Sequence, residues 1–345
     1  MKTIYSELHQ LHDAGKEFYG GEFVACFEKP ARAGMILAEV NRRRLGEVSS
    51  PQEFGIAPIM RVHGAAYVEF LEHAWRDWTQ SGFAVNLLPS CSPSRGMRQD
   101  RVPADVHGRA CYFSFDVTTP ITSGSWQAAK ASAEVALTAQ SLVVHGEKSA
   151  FALCRPPGHH ASIDYYGGYC FLNNAAIAAQ ALRDGGAASV AILDLDYHHG
   201  NGTQSIFYDR SDVYFASLHG DPAGNYPYFL GYADETGAGS GQGCNANYPL
   251  PAGTGAETWF EALRASFTGI RRFKPEALVI SLGVDTYEGD PICHFRLESD
   301  DFLRVGEAVA SLGLPSVFVM EGGYAVESLG INVVNVLAGF EQKLV

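Results

Sequence analysis

Basic residues are scarce in this chain. Over 345 residues, 25 Lys and Arg stand against 38 Asp and Glu, a formal charge of −13. Nucleic-acid binding needs a basic footprint, so the balance argues against DNA or RNA as a direct partner. It is compatible with a cationic substrate drawn in by steering, although many soluble enzymes are simply acidic. The seven cysteines are odd in number and include no C-x-x-C pair. That excludes a disulfide framework and points to reduced thiols in a cytoplasmic protein. No apolar run approaches the roughly 18 residues of a membrane span. The opening residues, Met1 to Glu7, hold no apolar segment of the secretory kind. Repeats, low-complexity tracts and clear linkers are also missing.

What is present is a large core and an alternating pattern. Hydrophobic content is 46% and charged content 18%, as expected of a globular chain read here as one domain over 1–345. Helical patterns at about 125–142, 174–183, 256–272 and 300–312 alternate with strand-like runs near 190–195, 213–218, 277–282 and 316–320. Ser125 is the expected cap of the first of these helices, and Gly185-Gly186 closes the second. Such alternation predicts an α/β fold, a mostly parallel sheet with helices on both faces. The segment 76–124 differs. It carries Pro89, Pro93, Pro103 and Pro120 together with Arg95, Arg98, Arg101 and Arg109, and it reads as a long irregular loop of functional character.

In such sheets the ligand site lies beyond the carboxyl ends of the strands, and the chemically rich residues fall there. Asp194-Leu195-Asp196-Tyr197-His198-His199-Gly200 ends the run Val190–Leu193. Asp196 and His198 are two residues apart, so on an extended chain they point the same way. An oxygen and a nitrogen donor on one face suit a divalent transition metal. A structural ion-pair cluster is the bland alternative. Asp285, at the end of Ala277–Leu282, offers a third donor and leaves a fourth position for water. Cys154-Arg155-Pro156-Pro157-Gly158-His159-His160 adds two imidazoles, and Glu321-Gly322-Gly323-Tyr324 adds a hydroxyl. Cys154 and Cys170 read as small core residues, Glu321 as a strand-end charge, and His219 and His294 as ordinary histidines.

Arg155-Pro156-Pro157-Gly158-His159-His160, Gly168-Tyr169-Cys170, Asp194-x-Asp196-x-His198-His199-Gly200-x-Gly202, Gly283-x-Asp285 and Glu321-Gly322-Gly323-Tyr324 together resemble the histone deacetylase superfamily. Within it, Tyr19-Gly20-Gly21-Glu22, the long loop before Trp126 and His219-Gly220-Asp221-Pro222 resemble the bacterial acetylpolyamine amidohydrolases. The resemblance implies a single-domain, three-layer arginase–deacetylase fold. It implies Asp196, His198 and Asp285 as ligands of one Zn2+, with Fe2+ an alternative in cells. His159 and His160 become the catalytic histidines and Tyr324 the carbonyl-polarising hydroxyl. Asp194 and Asn201 then support His159 and His160. It also implies a structural K+ held by Asp194, Asp196, His198, Ser217 and Leu218, and a substrate channel touched by Glu17, Gly168, Tyr169, Tyr226 and Ile292.

The function so implied is removal of acetyl groups from small acetylated amines. The polyamine-type loop implies a homodimer, with 76–124 as dimer contact and channel rim. Where the resemblance places glutamates in that loop, His107 and Thr118 stand here. Glu17, Asp105 and Asp116 are the carboxylates left to meet a distant ammonium, which favours acetylputrescine or acetylcadaverine. Competing readings are a protein acetyl-lysine deacetylase, an arginase-like ureohydrolase and an inactive acetyl-amine binding module. The ureohydrolase wants two metals and more bridging carboxylates. The complete set of His159, His160, Tyr324 and three ligands argues against the inactive module.

Overall fold

Strands covered by helices on both faces read as unbroken apolar runs. Val190–Asp194, Val213–Gly220, Ala277–Leu282 and Ser316–Met320 have that character, and every residue in them is buried. The structure is a computed structural model that describes residues 1–344. Its strands are β1 (Lys2–Ile4), β2 (Lys16–Tyr19), β3 (Glu22–Ala25), β4 (Val48–Ser49), β5 (Ser149–Ala152), β6 (Val190–Asp194), β7 (Val213–Gly220), β8 (Asn245–Leu250), β9 (Ala277–Leu282) and β10 (Ser316–Met320). Its helices are α1 (Ala31–Arg43), α2 (Ala65–Gln80), α3 (Val106–Tyr112), α4 (Ser125–Val144), α5 (Asn174–Asp184), α6 (Asn201–Phe207), α7 (Ala256–Phe273), α8 (Asp301–Ala310) and α9 (Leu329–Leu344).

Eight strands form one sheet in the order β4-β1-β5-β10-β9-β6-β7-β8. All neighbours in it run parallel, so every connection is a crossover that returns the chain over a face. The core-facing half of α4 is a stripe of alanines that continues almost all round, with Ala128, Ala129, Ala131, Ala133, Ala136 and Ala139 buried. Small side chains let it lie close to β5 and α5. On the far side, Phe340 of α9 packs edge-on against Phe318 of β10 at 5.0 Å. The expected single α/β unit with helices on both faces is what the chain builds. Among the described residues no helix is long and apolar enough to cross a membrane.

Several local expectations shift. The segment 76–124 is not one irregular loop. Residues 76–80 are the last turn of α2, and α3 interrupts the remainder. The Asp105 carboxylate caps α3 by accepting from the backbone of His107 at 2.9 Å and Gly108 at 3.0 Å. A seven-residue helix is too short for a hydrophobic period to show. Ser125 begins α4 without capping it. Its hydroxyl instead accepts from the Thr122 amide at 2.7 Å and pairs with His12 at 2.9 Å. Asn173 caps α5 by accepting from Ala176 N–H at 2.9 Å, and Gly185 closes it. Outside the main sheet, β2 and β3 form a hairpin whose turn residues Gly20 and Gly21 both have positive φ, the conformation that a two-residue hairpin turn demands.

Candidate active site

Strand order concentrates the polar residues. β5, β10, β9 and β6 are successive neighbours in the sheet, and each releases a loop at its carboxyl end. β5 leads to His159 and His160, β10 to Glu321–Tyr324, β9 to Asp285, and β6 to Asp196 and His198. Parallel strands put all four loops on one edge, so segments far apart in the chain meet there.

At the bottom of this crevice His198 Nδ1 lies 3.2 Å from both Asp196 Oδ1 and Asp285 Oδ2. Donors around a tetrahedral ion with bonds of about 2.0–2.1 Å sit roughly 3.3 Å apart, so both spacings suit donors to a shared divalent ion. The other carboxylate oxygens are tied to backbone. Asp196 Oδ2 accepts from Gly322 N–H and Asp285 Oδ1 from Tyr197 N–H, both at 2.8 Å. Burial raises the Asp285 carboxyl and Asp196 adds like-charge repulsion, lifting it to about 7. Two facing buried carboxylates of this kind call for a cation. Cys293 also lies near His198 and Asp285. Burial first, and then the neighbouring aspartates, push its thiol far above the ordinary range, which makes it a weak ligand. Gly322 lies directly against both carboxylates. A Cβ there would stand 2.5 Å from Asp196 Oδ2 and Asp285 Oδ2, so only glycine lets the loop approach the carboxylates.

The tandem imidazoles sit above. His159 Nδ1 pairs with Asp194 Oδ2 at 3.0 Å, and His160 Nδ1 with Asn201 Oδ1 at 2.6 Å. The ring centroids are 4.0 Å apart. Burial disfavours charge on His159, but Asp194 and Asp196 outweigh it and carry its pKa to about 10. Burial, then the neighbouring His159 and His198, press His160 well below its usual value. The asymmetry follows from Asp194 on one ring and neutral Asn201 on the other. Burial pushes the Tyr324 hydroxyl well above the usual tyrosine range, although Arg32 opposes it.

His160, Tyr324 and His198 line the inner part of a cavity of about 410 Å³, whose walls include Gly168, Tyr169, Tyr226 and Ile292. Phe18, Tyr19 and Gly20 of the β2–β3 hairpin and Tyr228 also line it, and exposed Tyr19 and Tyr228 mark its mouth. His159, Asp196 and Asp285 lie beneath the lining. Glu17 does not line the cavity. It is buried behind Tyr169 and accepts from that hydroxyl at 2.8 Å, because the alternation along β2 turns it inward while Phe18 faces the channel. Thr118 reaches the lining. His107 instead packs against Trp78 at 5.8 Å, and Asp105 is spent on the α3 cap. His219 is buried in the sheet, bonded to Ser217 and the Gly231 carbonyl at 2.8 Å each. A second hollow of about 610 Å³ lies beyond Phe115 and touches Asn201, but Asp196, His198 and Asp285 do not line it.

Two supporting groups escape a sequence reading. Glu321 is not a loose strand-end charge. Its Oε2 accepts from Gly158 N–H at 2.6 Å and His159 N–H at 3.2 Å, which anchors the histidine loop to β10. Arg32 donates to the Glu321 and Gly323 carbonyls at 2.7 Å each, and its guanidinium lies 4.8 Å from the centre of the Tyr324 ring. The four-residue spacing of Glu28 and Arg32 is the one signal in the sequence, and it ordinarily marks a surface pair on a helix, whereas Glu28 lies before α1.

Known proteins of one family resemble the chain over its whole length. The family model described as "Histone deacetylase domain" matches residues 26–340. The chain is 58% identical to acetylpolyamine amidohydrolase 2 of Pseudomonas aeruginosa, over 99% of each chain. It is 50% identical to the acetylpolyamine amidohydrolase of Mycoplana ramosa, over 98% of this chain and 99% of that one. The crystal structure of acetylpolyamine aminohydrolase from Burkholderia pseudomallei superposes with a TM-score of 0.95 at 41% identity, covering 99% of both chains.

Proposed function

The chain belongs to the histone deacetylase family, and from that premise we propose that it hydrolyses small acetylated amines, with acetylputrescine and acetylcadaverine the favoured substrates. One observation carries this reading: His160, Tyr324 and the Asp196–His198–Asp285 donor set converge at the base of a narrow aromatic channel. Asp196, His198 and Asp285 would hold Zn2+, or Fe2+ where iron is the available metal. When bound, such an ion supplies Lewis acidity that polarises an amide carbonyl and makes water acidic.

The chain's own groups do the rest. His160 faces the cavity through its Nε2 edge, while Asn201 accepts from its Nδ1. It is placed to take a proton from the attacking water and return it to the departing amine. His159, paired with Asp194, stands beside it, and the neighbouring carboxylates favour its charged form. The Tyr324 hydroxyl donates to the oxygen that gains charge as the carbonyl carbon becomes tetrahedral. Tyr169, Tyr226 and Ile292 enclose an alkyl chain and keep bulk water away. Glu17 and Asp116 lie one side chain behind the lining. A cationic amine therefore meets tyrosine hydroxyls polarised by carboxylates, with no direct ion pair to form.

Further parts of the reading are a K+ held by Asp194, Asp196, His198, Ser217 and Leu218, a cytoplasmic location and a homodimer. The ladder pairing of Asp194 with Ser217 across β6 and β7 supports the first. Seven free cysteines are consistent with a reducing compartment. Phe83, Val85, Met97 and Val102 are exposed apolar residues within 76–124, which suits a segment that forms a dimer contact and channel rim. The test is a kinetic panel of acetylputrescine, acetylcadaverine, acetylspermidine and an acetylated histone peptide. It is run before and after chelation and zinc return. Turnover of the small amines, lost on chelation and restored by zinc, is expected. A preference for the peptide, or turnover that survives complete metal removal, overturns the reading.

A further inference from the structure

The channel walls come from loops distant in sequence, and one carboxylate oxygen joins them. Asp116 Oδ2 accepts from the Gly168 amide at 2.7 Å, 52 residues away, and from the Tyr226 hydroxyl at 2.8 Å, 110 residues away. Thr118 completes the set, its amide donating to Oδ1 and its hydroxyl to Oδ2, both at 3.1 Å. Next to this junction Tyr169 N–H donates to Thr119 Oγ1 at 3.0 Å. The 114–119 segment therefore straps the Gly168–Tyr169 turn to the Tyr226 loop.

Both tied groups bear on the chemistry. Gly168 sits at φ +54, and any Cβ there would run into the His160 ring. The Gly168 backbone thus lies against that imidazole. The Tyr226 ring stands edge-on to His160 at 5.2 Å and to His198 at 6.0 Å. On the other side of the cavity Tyr169 packs against Tyr324 at 5.8 Å. Asp116 itself does not line the cavity. A charged acceptor holds such donors more firmly than a neutral one. Moving a wall by about 1 Å is enough to change a rate on the order of 10²-fold.

We propose that Asp116 is a positioning residue: its Oδ2 clamps the Gly168 and Tyr226 walls at a fixed separation, and that separation restricts the enzyme to unbranched alkyl amides. The inference rests on the amidohydrolase reading above. It predicts a change in selectivity that mere loss of stability would not produce.

The test compares kcat and KM for acetylputrescine with those for an analogue bearing one methyl branch beside the amide nitrogen, using the zinc-loaded full chain. The variants are Asp116→Ala, Tyr226→Phe and the double substitution, with thermal midpoints measured alongside. In Asp116→Ala, KM for acetylputrescine rises on the order of tenfold, and the unbranched-to-branched ratio of kcat/KM falls by about fivefold or more. Tyr226→Phe cuts one arm of the clamp and moves the ratio the same way by less. Because both act through one oxygen, the double variant is no worse than Asp116→Ala alone. An unchanged ratio in Asp116→Ala, or losses that simply add, overturns the proposal. If Asp116→Ala does not fold, Tyr226→Phe decides, and an unchanged ratio there overturns it. A wild-type protein inactive on both substrates overturns the amidohydrolase reading and this inference with it.

Discussion

Glu28 shows how much a single buried side chain carries. Its carboxylate takes Arg155 Nε at 2.8 Å, Arg155 Nη2 at 3.0 Å and Arg32 Nη1 at 3.0 Å, and all three residues are buried. Burial opposes its charge, yet Arg155 and Arg32 hold the carboxyl below its ordinary range. Glu28→Gln leaves two guanidinium groups facing a neutral amide, and breaking a buried pair costs about 3–5 kcal/mol. The expected outcome is a lower urea midpoint at unchanged m-value. A loss in kcat should accompany it, because Arg32 also braces Tyr324. At Tyr324 itself the effect separates from stability. Tyr324→Phe should keep the metal content and the thermal midpoint while kcat/KM falls on the order of 10²–10³, the loss typical of one oxyanion donor. His198→Ala should lose both bound metal and activity, measured by metal analysis after dialysis. The candidate site residues were legible beforehand because buried carboxylates and imidazoles at strand ends need a reason. Glu28, Arg32 and Glu321 were not, since charged residues ordinarily face water and only the packed structure places these three inside.

Helix junctions set the next level. α8 and α9 cross so closely that a Cβ on Gly306 would strike the Val336 carbonyl, and one on Gly339 the Leu303 carbonyl. Gly306→Ala should therefore destabilise by about 1–3 kcal/mol through overpacking. Denaturant unfolding would measure this, and KM should stay at its wild-type value because both helices lie away from the channel. His63 joins the start of α2 to the cap of α5. Its Nε2 accepts from Asn173 N–H at 2.9 Å while Nδ1 donates to the Ser162 carbonyl at 2.7 Å. Burial lowers its pKa to about 4. The unfolded chain, with His63 near 6.5, binds the proton more readily than the folded one. This stabilisation is full above about pH 6.5 and is lost as pH falls toward 4. His12, pressed by burial to about 4 as well, acts with the same sign. Unfolding free energy should decline across that window, and the decline should be shallower in His63→Gln. The strands β6, β7, β9 and β10 were readable because unbroken apolar runs of that length have few other fates. β1, β4 and the short α3 carry no period long enough to detect.

Over the whole molecule the proposed homodimer turns on the exposed apolar residues of 81–124, among them Val85 and Met97. Light scattering at neutral pH should report a dimer. Replacing exposed Val85 and Met97 together with glutamate should shift it toward monomer while the secondary structure stays unchanged. A variant that stays dimeric would place the contact elsewhere. The sequence by itself determined the α/β class and the meeting of the candidate site residues, because strand-end polar motifs in a parallel sheet can converge on only one edge, and its motifs carried the resemblance to the deacetylase family. Tertiary structure alone decided the rest. It turned Glu17 behind Tyr169, spent Asp105 on a helix cap, and used Asp116 to tie two walls more than fifty residues away in the chain. These depend on which face a side chain takes once loops pack. Loops lack the regular period that lets a linear pattern specify direction.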